Sequence, residues 1–224
     1  MRLTYWIAAI AGVMFLGSFV VNQRKKVILF GDSITQAGVE PRGYVTRMTG
    51  LAEAEHRSSD FEFMGAGIGG NKIYDLYLRV DDDVLRHKPD IVVIYIGVND
   101  VWHKRLAGTG TDPDKFEKFY LALINKLTSQ NIRVVLCTPA VIGEKTDFSN
   151  ELDGDLNRYS HIIRNLAKQN NLPLVDLRKA FLDYNLQNNP SNKESGMLTT
   201  DRVHLNDQGN LLVAEAIWSV IKGM

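Results

Sequence analysis

Short apolar runs rich in β-branched residues alternate with longer amphipathic runs from Lys26 onward. Strands that alternate with helices are joined by crossover connections, and such connections place the strands in a parallel sheet with helices on its faces. The runs that predict strands are residues 27–30, 61–64, 91–96, 133–138 and 174–176. This alternation predicts an α/β fold in which helices wrap a five-stranded parallel sheet.

Local signals mark several of the connecting helices. Asp112 and Pro113 pair an N-cap residue with a proline at the first helical position, which predicts a helix through about residue 130. Apolar residues across 156–166 recur at helical spacing, and a last helix is predicted to begin near Asn206 and Asp207. The longest segments without such a pattern are candidate walls of a binding site. They are residues 102–111, 140–150 and 184–200.

Residues 6–21 form an almost wholly apolar run, with Arg2 before it and basic residues at 24–26 after it. A helix of this length spans about 24 Å, somewhat less than a bilayer core. We therefore expect residues 1–25 to be a membrane anchor or signal segment, ahead of a single domain at 26–224. An uncleaved anchor is favoured over a cleaved signal, and a buried N-terminal helix is a further alternative. The protein is predicted to be membrane-anchored or exported, with the periplasmic or extracellular side favoured and either orientation allowed.

The charge balance argues against nucleic acid as a partner, because the 224 residues carry 26 basic and 26 acidic side chains. The acidic triplet at 81–83 is interpreted as lying near a helix start, where acids favour the helix dipole, and not as a metal site. The single cysteine, Cys137, is predicted to be a small core residue at a strand end. No feature of the sequence predicts an oligomeric state.

Chemically capable residues follow the first three predicted strands and precede the last helix. Ser33, Gly70 and Asn99 come after strands one, two and three, while Asp201 and His204 lie before the final helix. In an open parallel sheet, the residues that follow the strands meet at one edge, and ligands bind there. A serine, a histidine, an aspartate and amide donors at one edge are the groups that acyl transfer needs.

Four sequence blocks carry a family resemblance. They are GDSIT at 31–35, GAGIGG at 65–70, GVND at 97–100 and DRVH at 201–204. In order and spacing they resemble the blocks of SGNH hydrolases, also called GDSL esterases and lipases, and the resemblance covers residues 27–224. Ile34 stands where the family has leucine, and Gly65 stands where many members have asparagine. The resemblance implies a three-layer flavodoxin-like fold with strand order 2-1-3-4-5 and an SGNH hydrolase domain at 26–224.

The resemblance also implies catalytic roles for the residues at the sheet edge. Ser33 would attack the acyl carbonyl, His204 would act as base and then as acid, and Asp201 would orient the imidazole. The backbone N–H groups of Ser33 and Gly70 and the side-chain amide of Asn99 would form the oxyanion hole. No cofactor or metal is required. Trp102 and His103, directly after the Asn99 block, are weaker candidates for lining the acyl or alcohol pocket.

The expected substrate is a small-molecule acyl ester. The compact chain has no long apolar insertion that could form a lid, which favours short acyl groups such as acetyl esters of carbohydrates. A lysophospholipase, a thioesterase and an acyltransferase are alternatives within the same chemistry. Two further alternatives come from other classes. One is a catalytically silent carbohydrate-binding module, and the other is a dinucleotide-binding protein, because residues 65–70 also match G-x-G-x-x-G.

Overall fold

The computed structural model of the protein describes residues 23–224. The apolar run at 6–21, and with it most of the predicted anchor or signal segment at 1–25, lies outside the described residues. Across 23–224, no helix is both long enough and apolar enough to cross a membrane.

Five parallel strands form one sheet in the order β2-β1-β3-β4-β5. The strands are β1 Lys25–Gly31, β2 Phe61–Gly67, β3 Ile91–Tyr95, β4 Arg133–Cys137 and β5 Leu174–Val175. Every residue of β3 is buried, as expected for a central strand covered on both faces. Cys137 is fully buried at the end of β4, as predicted. The predicted strand number, direction and order are confirmed.

Eight α-helices connect and flank the described strands. They are α1 Ser33–Gly38, α2 Tyr44–Ala54, α3 Ile73–Asp83, α4 Val98–Ala107, α5 Pro113–Thr128, α6 Asp153–Gln169, α7 Leu177–Asn188 and α8 Asp207–Ile221. The predicted start of α8 near Asn206 and Asp207 is confirmed, and the Asn206 side chain caps the helix by accepting a 2.9 Å hydrogen bond from the Gly209 N–H. The Asp112 side chain makes no such cap bond for α5 and instead pairs with Lys104 at 2.6 Å.

Three local predictions are wrong. Much of the segment predicted to be irregular at 102–111 belongs to α4, because the residues of its first turn are buried and the helix continues to a left-handed cap at Gly108. The start of 184–200 likewise belongs to α7. The acidic triplet at 81–83 ends α3 instead of beginning a helix, and its Asp83 is stabilised there by a 2.7 Å ion pair with Arg79 one turn earlier.

The chain order and right-handed crossovers place the helices in two layers. The connection from β1 to β2 runs toward one sheet edge and carries α1 and α2, and α2 packs against α8. The connections after β2, β3 and β4 run the opposite way, and their helices α3, α5 and α6 pack in a row on the other face. The direction therefore reverses between β1 and β3. A crevice forms at such a reversal, outside the carboxyl ends of the strands.

Candidate active site

Ser33 lies at the mouth of this crevice, as the first residue of α1. The Asp32 side chain caps the helix by accepting a 3.0 Å hydrogen bond from the Ile34 N–H. A Cβ atom on Gly31 would collide with the Thr35 hydroxyl, so the sharp turn from β1 into α1 requires glycine there. The Ser33 N–H, at a helix start, has no acceptor within the helix and is left to bind a ligand oxygen.

Ser33, His204 and Asp201 form a continuous chain of hydrogen bonds. The Ser33 Oγ lies 3.0 Å from His204 Nε2, and His204 Nδ1 lies 2.7 Å from Asp201 Oδ2. A carboxylate can only accept, so Nδ1 carries a proton and the neutral ring leaves Nε2 free to accept the serine proton. The three predicted catalytic residues are thus brought together in the geometry that activates a serine hydroxyl.

The loop before α8 holds the acid and the base as one rigid unit. The second carboxylate oxygen of Asp201 accepts backbone N–H groups of Val203 at 3.1 Å and His204 at 2.8 Å. Partial burial alone would raise the pKa of the Asp201 carboxyl, but these bonds and the one to the His204 ring outweigh it and lower that pKa below its ordinary value. Asp201 and His204 remain 50% and 37% exposed, so the site is open to solvent.

The predicted oxyanion donors Gly70 and Asn99 also meet at this edge. Asn99 is 3% exposed, and its Nδ2 donates a 3.1 Å hydrogen bond to the carbonyl oxygen of Asn71, the residue after Gly70. This bond fixes the Asn99 amide against the glycine-rich loop. Gly70 has φ +76°, a conformation that glycine adopts without strain and other residues rarely adopt.

Trp102 and His103, the two weaker candidates, have ring centroids 5.8 Å apart and lie near different residues of the site. The Trp102 ring makes an edge contact with the His204 ring, with centroids 6.4 Å apart. His103 lies beside Gly70, because a Cβ atom built on that glycine would come within 3.8 Å of the His103 ring. Partial burial, together with the nearby Lys72 ammonium, lowers the pKa of His103.

Glu144 is a residue that sequence reasoning missed. It is 1% exposed, and its carboxylate accepts three backbone N–H bonds of 2.7–2.8 Å, from Met197, Leu198 and Thr199. These three residues lead directly into the loop that carries the acid and the base. An acidic residue two positions after the apolar run 140–142 could have drawn attention to it.

Replacing Glu144 with glutamine is expected to lower the free energy of unfolding by about 1–3 kcal/mol, because the glutamine NH2 group takes the place of one carboxylate oxygen and faces a backbone N–H that it cannot accept. Urea denaturation measures this loss, and kcat should fall with it as the loop loses its anchor. Glu117→Gln, an exposed position on α5, is the matched control. Equal stability of the two variants would contradict an anchoring role.

Arg79 is a second residue that the sequence analysis missed, and its hydrogen bonds hold the strand ends and the loop that carry the site. Its guanidinium donates to the carbonyl oxygens of Gly31 at 2.8 Å and Ala66 at 3.0 Å, and to the Asn71 side chain at 2.7 Å. It therefore ties the ends of β1 and β2 to the glycine-rich loop. Its guanidinium also lies over the Phe30 ring, 4.5 Å from the centroid.

Two buried carboxyl groups lie beneath the site. Burial raises the pKa of Asp32 to about 6, although the hydrogen bond from the Ile34 N–H opposes the rise. Burial likewise raises the pKa of Asp100 to about 7. Both groups cost folding energy when ionised, because removal from water disfavours the charged form.

The raised pKa of Asp32 predicts a pH-dependent cost. The unfolded chain releases this proton near pH 4, whereas the folded protein holds it until about pH 6, so stability falls over that interval and stays lower above it. Asp32→Asn keeps the capping oxygen without the charge. We expect its free energy of unfolding to exceed that of the wild type by on the order of 2–3 kcal/mol at pH 8 and by little at pH 4.

Urea denaturation at pH 4 and pH 8 measures this difference, with exposed Asp114→Asn as the control. If Asp32→Asn and the wild type lose the same stability between the two pH values, the buried carboxyl is not the source.

Residues 29–212 match the model of the GDSL-like lipase/acylhydrolase family. Three relatives illustrate the similarity. An acetylxylan esterase of Geobacillus stearothermophilus is 28% identical over 212 residues, covering 88% of this chain and 93% of the relative. An uncharacterized lipoprotein of Bacillus subtilis, YqeF, is 26% identical over 212 residues, a match that covers 85% of this chain and 87% of the relative. The crystal structure of the acetyl xylan esterase AlAXEase is 64% identical, with a TM-score of 0.86, 88% of this chain covered and 99% of the other.

Proposed function

Because the chain belongs to the GDSL-like lipase/acylhydrolase family, we propose that it is a serine esterase that removes acetyl groups from carbohydrates through Ser33, His204 and Asp201. The observation that carries this proposal is the hydrogen-bonded chain from Ser33 Oγ through the imidazole to the Asp201 carboxylate, at 3.0 Å and 2.7 Å. A serine, its base and an orienting acid beside three potential oxyanion donors are the groups that acyl transfer needs.

The first half of the reaction forms an acyl-enzyme. The Ser33 oxygen attacks the ester carbonyl carbon while His204 Nε2 takes its proton. The carbonyl oxygen becomes an oxyanion, and the N–H groups of Ser33 and Gly70 and the Asn99 amide stabilise it. The carbon–oxygen bond to the alcohol then breaks, and the proton held on Nε2 passes to the departing alcohol oxygen.

The second half returns the enzyme to its starting state. A water molecule gives a proton to His204 and attacks the acyl carbon, and the same donors hold the second oxyanion. When the acyl bond breaks, the proton returns to the Ser33 oxygen and the acid is released. Asp201 keeps its charge throughout and stabilises the imidazolium that forms in both halves. No step of this mechanism requires a metal or cofactor.

Two features support an acetyl ester of a carbohydrate as the substrate. Relatives at 28% and 64% identity are described as acetylxylan esterases. The catalytic histidine and aspartate are partly exposed, and no long apolar segment among the described residues covers them, which suits a short acyl group on a bulky polar alcohol.

The test measures kcat/KM for acetate release from acetylated xylobiose and for p-nitrophenyl esters from acetate to decanoate. We expect acetyl esters to exceed decanoyl esters by at least tenfold. A preference for decanoate would instead indicate a lipid or thioester hydrolase. Acyl products formed on an added alcohol in preference to water would indicate an acyltransferase.

We also propose that the protein is exported or held at a membrane by its N-terminal segment. The apolar run at 6–21 and the similarity to a protein described as a lipoprotein support this placement. Fractionation of cells that produce the full chain, compared with a chain lacking residues 1–22, is the test. If both forms stay with the cytoplasmic fraction, the proposal is wrong.

A further inference from the structure

A pocket of about 470 Å³ opens beside Trp102, whose ring contacts the catalytic histidine. Its walls come from α4, from residues 142–152 and from Arg202 in the loop between Asp201 and His204. This volume is within the range of about 300–1,000 Å³ that is typical of small-molecule sites. Ser33 does not line it, so it is a neighbouring compartment and not the place where the acyl carbon reacts.

The chemistry of the proposed reaction determines which part of the ester reaches this pocket. The departing alcohol oxygen must lie next to His204 Nε2, because that atom returns the proton to it. The carbonyl oxygen points the other way, toward Gly70 and Asn99. Trp102 lines the pocket and also contacts the His204 ring, so the alcohol side of the ester continues along Trp102 into the pocket.

The lining suits a ligand with apolar faces and polar edges. Trp102, Ile142 and Leu152 provide apolar surface. Asn150 adds an amide oxygen, because its NH2 group already donates to the Lys145 carbonyl and to Asp153, and Ser149 adds a hydroxyl. A sugar ring has the same dual character, since its C–H faces pack on aromatic rings and its hydroxyl groups bond to amides and charged groups at the edge.

Three cationic and two acidic side chains line the pocket, and two ion pairs form among them. Arg105 pairs with Glu151 at 3.7 Å, and Arg202 pairs with Glu194 at 2.7 Å. Because each arginine already has an acidic partner, neither is free to bind an anion, and Lys145 alone adds a net positive charge to the lining. A neutral polyhydroxy ligand can accept from the arginines and donate to the glutamates without breaking either pair.

Two of the eight non-glycine residues with positive φ in the described part of the chain lie at or next to the same pocket. Arg202 has φ +84°, and Phe148, next to the pocket-lining Ser149, has φ +65° with 90% of its surface exposed. Bulky residues rarely adopt these angles, and strained residues of this kind cluster at ligand sites.

From these observations we infer that the pocket beside Trp102 binds the glycosyl part of the substrate, as a neutral saccharide on the leaving-group side of His204. This inference rests on the proposed esterase function, because it assigns the alcohol side of that ester. It explains how an open site could select a carbohydrate ester over a simple alkyl ester.

The experiment compares kcat/KM for acetylated xylobiose with kcat/KM for ethyl acetate, which has no sugar. The variants are Ser149→Trp, which fills the pocket from an exposed loop position, and Arg105→Ala, which removes a polar group from its rim. Arg86→Ala, an exposed arginine ahead of β3 at the opposite end of the sheet, is the matched control. We expect the ratio of the two constants to fall at least fivefold in both pocket variants and to stay unchanged in the control.

A binding measurement separates this inference from the proposed function. Ser33→Ala protein is titrated with unacetylated xylobiose and followed by calorimetry, with and without Ser149→Trp. Saturable binding that Ser149→Trp removes supports the pocket even if no ester is hydrolysed. Absence of binding, or an unchanged ratio in both pocket variants, overturns it. Failure to hydrolyse either ester, with binding intact, refutes the esterase alone.

Discussion

Ser33→Ala is expected to lower kcat for acetyl ester hydrolysis by a factor of about 10⁴ to 10⁶, since removal of the nucleophile leaves only the oxyanion donors and substrate binding. His204→Ala should cost about as much, because an unactivated serine hydroxyl is a poor nucleophile at neutral pH. The two losses should not add. The double variant should be no slower than either single one, because the serine and the histidine act together in one step.

Steady-state rates of the two single variants and the double variant measure this effect, with Ser59→Ala, an exposed turn serine, as the control. Thermal melts should show the folded protein in every case. If Ser33→Ala keeps more than a tenth of the wild-type rate, another residue is the nucleophile.

Asn99→Ala is expected to lower kcat by a factor of about 10² to 10³ with little change in KM, which corresponds to about 2.7–4 kcal/mol of transition-state stabilisation. The unequal effects on kcat and KM have a physical cause. The amide bonds the tetrahedral oxyanion more strongly than the ester carbonyl, so its loss raises the barrier without weakening substrate binding.

Asn99→Asp is the companion variant, because it keeps the side-chain shape but replaces the donor with an acceptor, and it should be at least as slow. Since Asn99 also bonds to the Asn71 carbonyl at 3.1 Å, the melting temperature of each variant must be measured. A rise in KM as large as the fall in kcat would indicate a role in binding and not in the transition state.

The alternation of short and long runs was sufficient to predict the sheet, because strand and helix periods are local properties of the sequence. The end of β2 was harder to predict from the sequence. Gly65 and Gly67 have the composition of a loop, yet they pair with Leu29 and Gly31 across the β1–β2 ladder. Gly67 is required there by a contact outside the strand, because a Cβ atom would collide with the Gln36 backbone of α1.

The site, too, was predictable only in part, because some of its residues act through contacts that are distant in the sequence. Ser33, Asn99 and His204 follow or precede regular elements, so the rule that strand ends converge was enough to group them. Glu144 and Arg79 act through long-range bonds, from Glu144 to 197–199 and from Arg79 to Gly31. Neither belongs to a local pattern, and only the folded arrangement reveals these contacts.

Because Asp201 and His204 belong to one loop, thermal motion of that loop leaves their mutual geometry intact and changes only the distance to Ser33. The loop is attached to the rest of the protein through the Glu144 carboxylate and the 2.9 Å bond from the Gly143 N–H to the Arg202 carbonyl oxygen. Segments held by a few such bonds open locally at lower free energy than the central sheet. On heating, activity should therefore disappear before the sheet melts, and it should return on cooling as long as the sheet is intact.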